Sequence, residues 1–292
     1  MTRTWESVAP IDPFSALPNR VSPVGPGVTL EAVPAWFKRE REHAKEYFGT
    51  REFSSSEACL KATIHSEGLG TNCEASWELI RMANPALWLA HPSSLHVKLV
   101  ITAEPEPSPG GSVIRASSLE SIRPNEKYAE ASLKWEHLVI ADKLASAIQG
   151  LPHPGSVWTA VRFLWLALTD VVWETRYICL WVAVEALFGP EDRRKITENV
   201  SKRVAKFPNN DDQEAKIACQ LVKDGYDCRS AAVHGGRLGN LTSAESSKTM
   251  LTAEGIVLTC LRKILLDPAL IQEFCSASRD HYLDALTKGF QP

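Results

Sequence analysis

At 292 residues and 44% hydrophobic content, the chain can bury one large core or two modest ones, and it reads as globular rather than disordered or fibrous. Its 32 Lys and Arg against 35 Asp and Glu leave a net charge of −3, which excludes coating of nucleic acid through bulk positive charge and confines any RNA contact to a local basic site. The seven cysteines, Cys59, Cys73, Cys179, Cys219, Cys228, Cys260 and Cys275, form no C-x-x-C pair and no Cys/His zinc spacing, so reduced thiols in a cytoplasmic setting are expected, with no metal.

The opening "MTRTWESVAPIDPF" meets prolines and acids before any apolar run develops, so no secretory leader is expected. Residues 1–34 carry Pro10, Pro13, Pro18, Pro23, Pro26 and Pro34. Proline removes a backbone donor and fixes φ, and the stretch reads as an extended proline-rich arm without a regular element. Residues 35–124 read as a smaller α+β region of unknown role. Within it, "AWFKREREHAKEYF" is a short surface helix and "NCEASWELIRMA" has helical spacing at Cys73, Trp77 and Ile80. "LHVKLVITA" and "SVIRASSL" alternate as strands around the turn-rich "EPEPSPGGS", giving a hairpin or two isolated strands.

From residue 125 to 292 the pattern is helical throughout. "EKYAEASLKWEHLVIADKLASAI" places Leu133, Val139 or Ile140, Leu144 and Ile148 at helical spacing and stops at "QGLPHPG". Further helices are predicted at about 155–170, 172–188, 194–206, 212–234, 244–266 and 268–287, separated by the breaker-rich "GPED", "FPNNDD" and "GGRLGN". Such short connections favour an antiparallel bundle. The most apolar stretch, from Val157 to Phe188, is interrupted by Arg162, Asp170, Glu174 and Arg176, and is predicted to be a buried core and not a membrane span.

One short motif carries chemistry. "YDCRSAAVHGGR" sets Arg229 and His234 five positions apart, and the following glycines suit a left-handed helix C-cap. An arginine fork binds phosphate oxygens and an imidazole exchanges protons near neutral pH, a pairing suited to phosphodiester cleavage. The alternative is a helix-terminal histidine interacting with the dipole and an arginine covering a surface carboxylate. Upstream, the apolar "RYICLWVAVEALFG" contains one acid, Glu185. It is either satisfied in the core by a hydrogen-bonded partner or turned toward Arg229 or His234 to orient them. Arg193, Arg194, Lys195, Lys202, Arg203, Lys206 and Arg237 form either a phosphate track or an ordinary solvated face. The remaining histidines, His43, His65, His91, His96, His137, His153 and His281, have no metal-ligand spacing. No glycine-rich phosphate loop, G-x-S-x-G elbow or H-E-x-x-H occurs.

The order of an apolar helix ending in "ALFG", a basic amphipathic helix, a spacer, "YDCRSAAVHGG" and a final long helix resembles the HEPN superfamily, most closely its ApeA-like branch. The resemblance covers roughly residues 125–270. It implies a mainly α protein, a HEPN-like antiparallel helical bundle beside the smaller N-terminal α+β part. It also implies a metal-independent ribonuclease without a cofactor, working as a homodimer on RNA, with no membrane association and no DNA specificity, of the kind found in phage defence and toxin systems. By the same resemblance Arg229 and His234 are catalytic, and RNA is cut to a 2′,3′-cyclic phosphate and a 5′-hydroxyl. Many relatives carry Asn, Asp or His after the arginine, where this chain has Ser230, which still donates and accepts hydrogen bonds. A non-catalytic HEPN module that binds RNA or a protein partner is the alternative reading.

Overall fold

The computed structural model describes residues 2–11, 21–38, 58–67, 73–93, 99–103, 115–118, 131, 133–190, 195–209, 211–233 and 242–292. The chain is mainly helical, with a small antiparallel sheet near the N-terminus, and it divides into two compact units, Met1–Gln149 and Gly150–Pro292.

The first unit is built on a six-stranded sheet of order β2-β3-β4-β1-β5-β6. Its strands are β1 (Thr2–Pro10), β2 (Ser22–Pro23), β3 (Val28–Ala32), β4 (Ala58–Glu67), β5 (Leu99–Ala103) and β6 (Arg115–Ser118). All pairs are antiparallel, and β1 lies between β4 and β5, with Val8 opposite both Lys61 and Ile101. The proline-rich arm expected for residues 1–34 is therefore corrected. "TRTWESVAP" is free of proline until its last residue, so its backbone donors are intact for two neighbours. Pro23 ends the edge strand β2 and Pro26 lies in the β2–β3 turn, two places where a missing donor costs little.

Alternation along β1 sends Ser7 to one face and Glu6 and Val8 to the other. On the first face lies helix α1 (Cys73–Ala90), whose Ser76 Oγ is 2.6 Å from Ser7 Oγ; Ser7 Oγ is also 2.6 Å from Thr102 Oγ1. Three hydroxyls thus satisfy one another inside the layer. The second face is covered by Val33, Trp36 and Phe37, and the Trp36 indole N–H donates to Glu6 at 2.8 Å. Helix α2 (Trp135–Gln149) packs on α1. The helix that the sequence pattern assigns to the 125–292 domain thus belongs to the same compact unit as the sheet. Gly25, at φ +118°, lies against Ala145 too closely for any Cβ and donates its N–H to Asp142 at 2.8 Å. The surface helix predicted from Ala35 is described only as a helical turn at 35–38; its remainder lies outside the described residues.

The second unit contains α3 (Ser156–Thr169), α4 (Trp173–Phe188), α5 (Ile196–Lys206), α6 (Asp212–Val233), α7 (Ser243–Leu265), α8 (Pro268–Cys275) and α9 (Arg279–Thr287). These limits follow local chemistry. Asp211 accepts from the backbone N–H of Gln213 and Glu214 at the start of α6, Thr242 and Glu245 form a reciprocal capping box on α7, and Asp267 caps α8 ahead of Pro268. The single helix expected at 268–287 is two helices. Ser276 and Ser278 bond to each other and to Glu273, and this side-chain competition for the backbone ends α8.

Helix α4 packs against α3, α5, α6 and α7. It buries Tyr177, Cys179, Leu180, Trp181, Ala183, Val184, Leu187 and Phe188, which leaves no wide polar face and fits a central position. Phe188, Phe207, Phe274 and Tyr282 form an edge-to-face cluster at its C-terminal end, with successive ring centroids 5.2–6.1 Å apart. No described helix is long and apolar enough to cross a membrane.

Candidate functional site

Helix α6 approaches α4 through Gly225. A Cβ there would collide with the Trp181 indole, so only glycine allows this spacing. The Tyr177 hydroxyl donates to the Gly225 carbonyl at 2.7 Å, and burial pushes that phenol's pKa well above its ordinary value, so it stays a donor. One residue on, Tyr226 packs edge to face on Trp181 at 5.5 Å and donates its hydroxyl to Glu185 Oε1 at 2.6 Å.

Arg229 follows Tyr226 by three positions, which puts both on one face of α6. Its Nη2 forms an ion pair with the same Glu185 oxygen at 3.0 Å, and its Cζ lies 5.5 Å from the Tyr226 ring centroid. The Nε–H is enclosed and meets no acceptor among the described residues. Glu185 therefore joins two partners, a hydroxyl and a guanidinium, while the arginine retains donor capacity that no described residue uses. Ser230 is half-buried beside Arg229. His234, Gly235, Gly236 and Arg237 lie outside the described residues, as do Arg193 and Arg194.

Such an arrangement can hold an oxyanion. A planar cation is held at one edge by a carboxylate and on its face by an aromatic ring, and its side chain stays 22% exposed, so an anion can still reach it. The adjacent Cys228 thiol is a poor nucleophile, because burial, then Asp227 and Asp224, push its pKa up.

No family model matches this chain, and no curated protein or solved structure is significantly similar to it.

The basic residues proposed as a phosphate track separate into two kinds. Arg203 is buried, 3% exposed, and donates to the Phe188 carbonyl at 3.1 Å, to Asp280 at 3.2 Å and to Asp284 at 2.7 Å. Its place on a phosphate track is corrected: its guanidinium is committed to the C-terminal end of α4. Lys206 is tied to Asp212 at 2.9 Å and sits over the Phe290 ring. Lys195 is exposed ahead of α5, and Lys202 pairs with Glu198 at 2.8 Å on the surface of that helix. Lys202 and Lys223 both act electrostatically on Cys219, which is about 15 Å along α6 from Arg229 at the usual helical rise. Sequence spacing had suggested one basic region; these lysines belong to a different level of the helix.

Tyr226 is the residue at this site that sequence reasoning did not assign. Its signal was present in the i, i+3 spacing with Arg229 on a helix, which brings an aromatic face under a guanidinium. Among the described residues, no three His, Cys, Asp or Glu side chains come together as a metal site.

Proposed function

We propose that the chain is a metal-independent endoribonuclease of the HEPN type, with Arg229 and His234 as its catalytic pair. The 2′-hydroxyl of a ribose attacks the adjacent phosphorus, the bond from phosphorus to the 5′-oxygen breaks, and the products are a 2′,3′-cyclic phosphate and a 5′-hydroxyl. The proton leaves the 2′-oxygen and another reaches the 5′-oxygen. His234 serves these transfers, and two copies facing each other in a homodimer supply a base from one chain and an acid from the other. Arg229 stabilises the charge that gathers on the phosphoryl oxygens, and Glu185 holds the guanidinium in place.

The observation that carries this reading is the incomplete satisfaction of Arg229. Leaving an enclosed donor without an acceptor costs about 1–3 kcal/mol. The Arg229 side chain is still 22% exposed, and a phosphate oxygen that meets its open part is held more strongly as its charge grows toward the transition state. DNA lacks the 2′-hydroxyl and is spared. The activity is of the kind that serves phage defence or toxin systems.

Incubation of the purified protein with total RNA in EDTA, followed by mapping of both new ends, tests the proposal. Cyclic phosphate and 5′-hydroxyl ends are expected, and Arg229→Ala and His234→Ala should lose them. RNA that binds without being cut, in monomer and dimer alike, would replace the nuclease with a binding module.

A further inference from the structure

We infer that Tyr226 is a positioning residue for Arg229, which sets the direction of the guanidinium through two separate contacts. This inference rests on the reading of Arg229 as the phosphate ligand. Its hydroxyl occupies one side of Glu185 Oε1 at 2.6 Å, so the same oxygen meets Arg229 Nη2 at 3.0 Å from another side. Its ring lies under the guanidinium carbon at 5.5 Å. A carboxylate alone leaves an arginine free to rotate between one-point and two-point contacts. A carboxylate fixed by a second donor, together with an aromatic face below the cation, leaves one arrangement.

Tyr226 is held in turn. It is 5% exposed, it packs edge to face on Trp181, and the neighbouring Gly225 carbonyl is pinned by Tyr177. In a regular helix that carbonyl also accepts the N–H of Arg229, so the α4 aromatics fix the backbone below the arginine as well as the ring beside it. The chain Trp181, Tyr226, Glu185, Arg229 runs from the core to the unsatisfied N–H. A tyrosine needed for packing alone would place its hydroxyl at any acceptor or in water; this one is on the carboxylate that holds Arg229.

Tyr226→Phe removes the hydroxyl and retains the ring, so the fold is preserved. Two readouts separate positioning from packing. The first is 15N relaxation of the Arg229 Nε–Hε group, which is expected to be ordered in the wild-type protein and to lose order in Tyr226→Phe. The second is RNA cleavage: kcat should fall about 10- to 100-fold with KM held within about twofold, because misdirection of a bound group affects the transition state more than binding. Adding Glu185→Gln to Tyr226→Phe should cost little beyond either single change, since both act on one oxygen. Unchanged Arg229 order in Tyr226→Phe overturns the inference, and so does lost order with an unchanged kcat. If the wild-type chain cuts no RNA, the ribonuclease proposal fails, and the relaxation experiment alone decides whether Tyr226 positions Arg229.

Discussion

Helix α4 meets arginines at two places, its C-terminal end and its flank, and their surroundings differ. At its C-terminal end Arg203 donates to a backbone carbonyl and two aspartates, while Arg279 donates to the carbonyls of Ala186 and Gly189. These are the carbonyls a helix end leaves without intrahelical partners, and cations there also meet the negative end of the dipole. On the flank of the same helix Arg229 has one carboxylate, one aromatic face and an enclosed N–H without an acceptor among the described residues. The first arginine completes the fold, and the second is held without being used up. Residue type does not distinguish them; side-chain exposure, 4% for Arg203 against 22% for Arg229, and the number of donors that the protein itself satisfies do.

That distinction requires opposite results from alanine substitution. His234→Ala and Arg229→Ala should reduce RNA cleavage about 10²- to 10⁴-fold, the range for lost acid–base or oxyanion-stabilising groups, with little change in chemical denaturation. Arg203→Ala should lower the unfolding free energy by about 3 kcal/mol, because three bonds from a buried charged donor are lost, while per-molecule activity of the folded fraction stays near wild type. Urea titration beside a cleavage assay measures both. Equal destabilisation by Arg203→Ala and Arg229→Ala would remove the contrast.

How much of this was legible in the sequence depended on how local each cause is. Helices with strong apolar period and local stop signals, such as α3, α4 and α6, fall within a few residues of where the pattern places them. The sheet was only half visible. β5 and β6 alternate plainly, whereas β1 was obscured because proline content was averaged over residues 1–34, although the nine residues of the strand place theirs at its end. β4 reads as a strand only once β1 and β3 lie on either side of it. At the site, the position of Glu185 in an apolar helix signalled a partner, but its identity is a tertiary fact. Tyr226 and Arg229 reach Glu185 only because Gly225 lets two helices approach. Arg203 shows the converse, since an amphipathic pattern with basic residues suggested a surface that the later helix α9 covers.

A buried carboxyl on α7 that meets an arginine of α4 is a case intermediate between Arg203 and Arg229. Arg176 donates to Glu254 at 3.1 Å, Glu254 is 2% exposed, and its second oxygen has no hydrogen-bond partner among the described residues. Burial pushes this carboxyl up from 4.5 to about 7, against the opposing pull of Arg176. The folded state therefore holds a proton that the unfolded chain releases. Its stabilising contribution is fully present below pH 4.5 and is lost as the pH rises through about 7. The span corresponds to about 3 kcal/mol. Urea titrations of wild type and Glu254→Gln across that range should diverge, with the wild type losing stability relative to the variant as the pH rises. A constant difference would mean that Glu254 stays ionised and is fully compensated by its arginine.

The smallest effect is expected at Lys202, next in sequence to Arg203 and opposite to it in fate. Its ammonium meets Glu198 one turn away on the surface of α5, a pairing that water screens and that constrains nothing beyond its own helix. Lys202→Ala should therefore leave the denaturation midpoint where it is. Its value lies in the RNA assay. If Lys202 contacts a phosphate at a distance from the cleavage site, the variant should bind all RNA sequences slightly more weakly, with the slope of log affinity against log salt reduced by about 1 and kcat unchanged. If the salt slope is unchanged, Lys202 is a solvated surface charge, and RNA recognition is confined to the surroundings of Arg229. A fall in stability as large as that of Arg203→Ala would instead show that exposure and a single ion pair are poor guides to which arginine or lysine the fold requires.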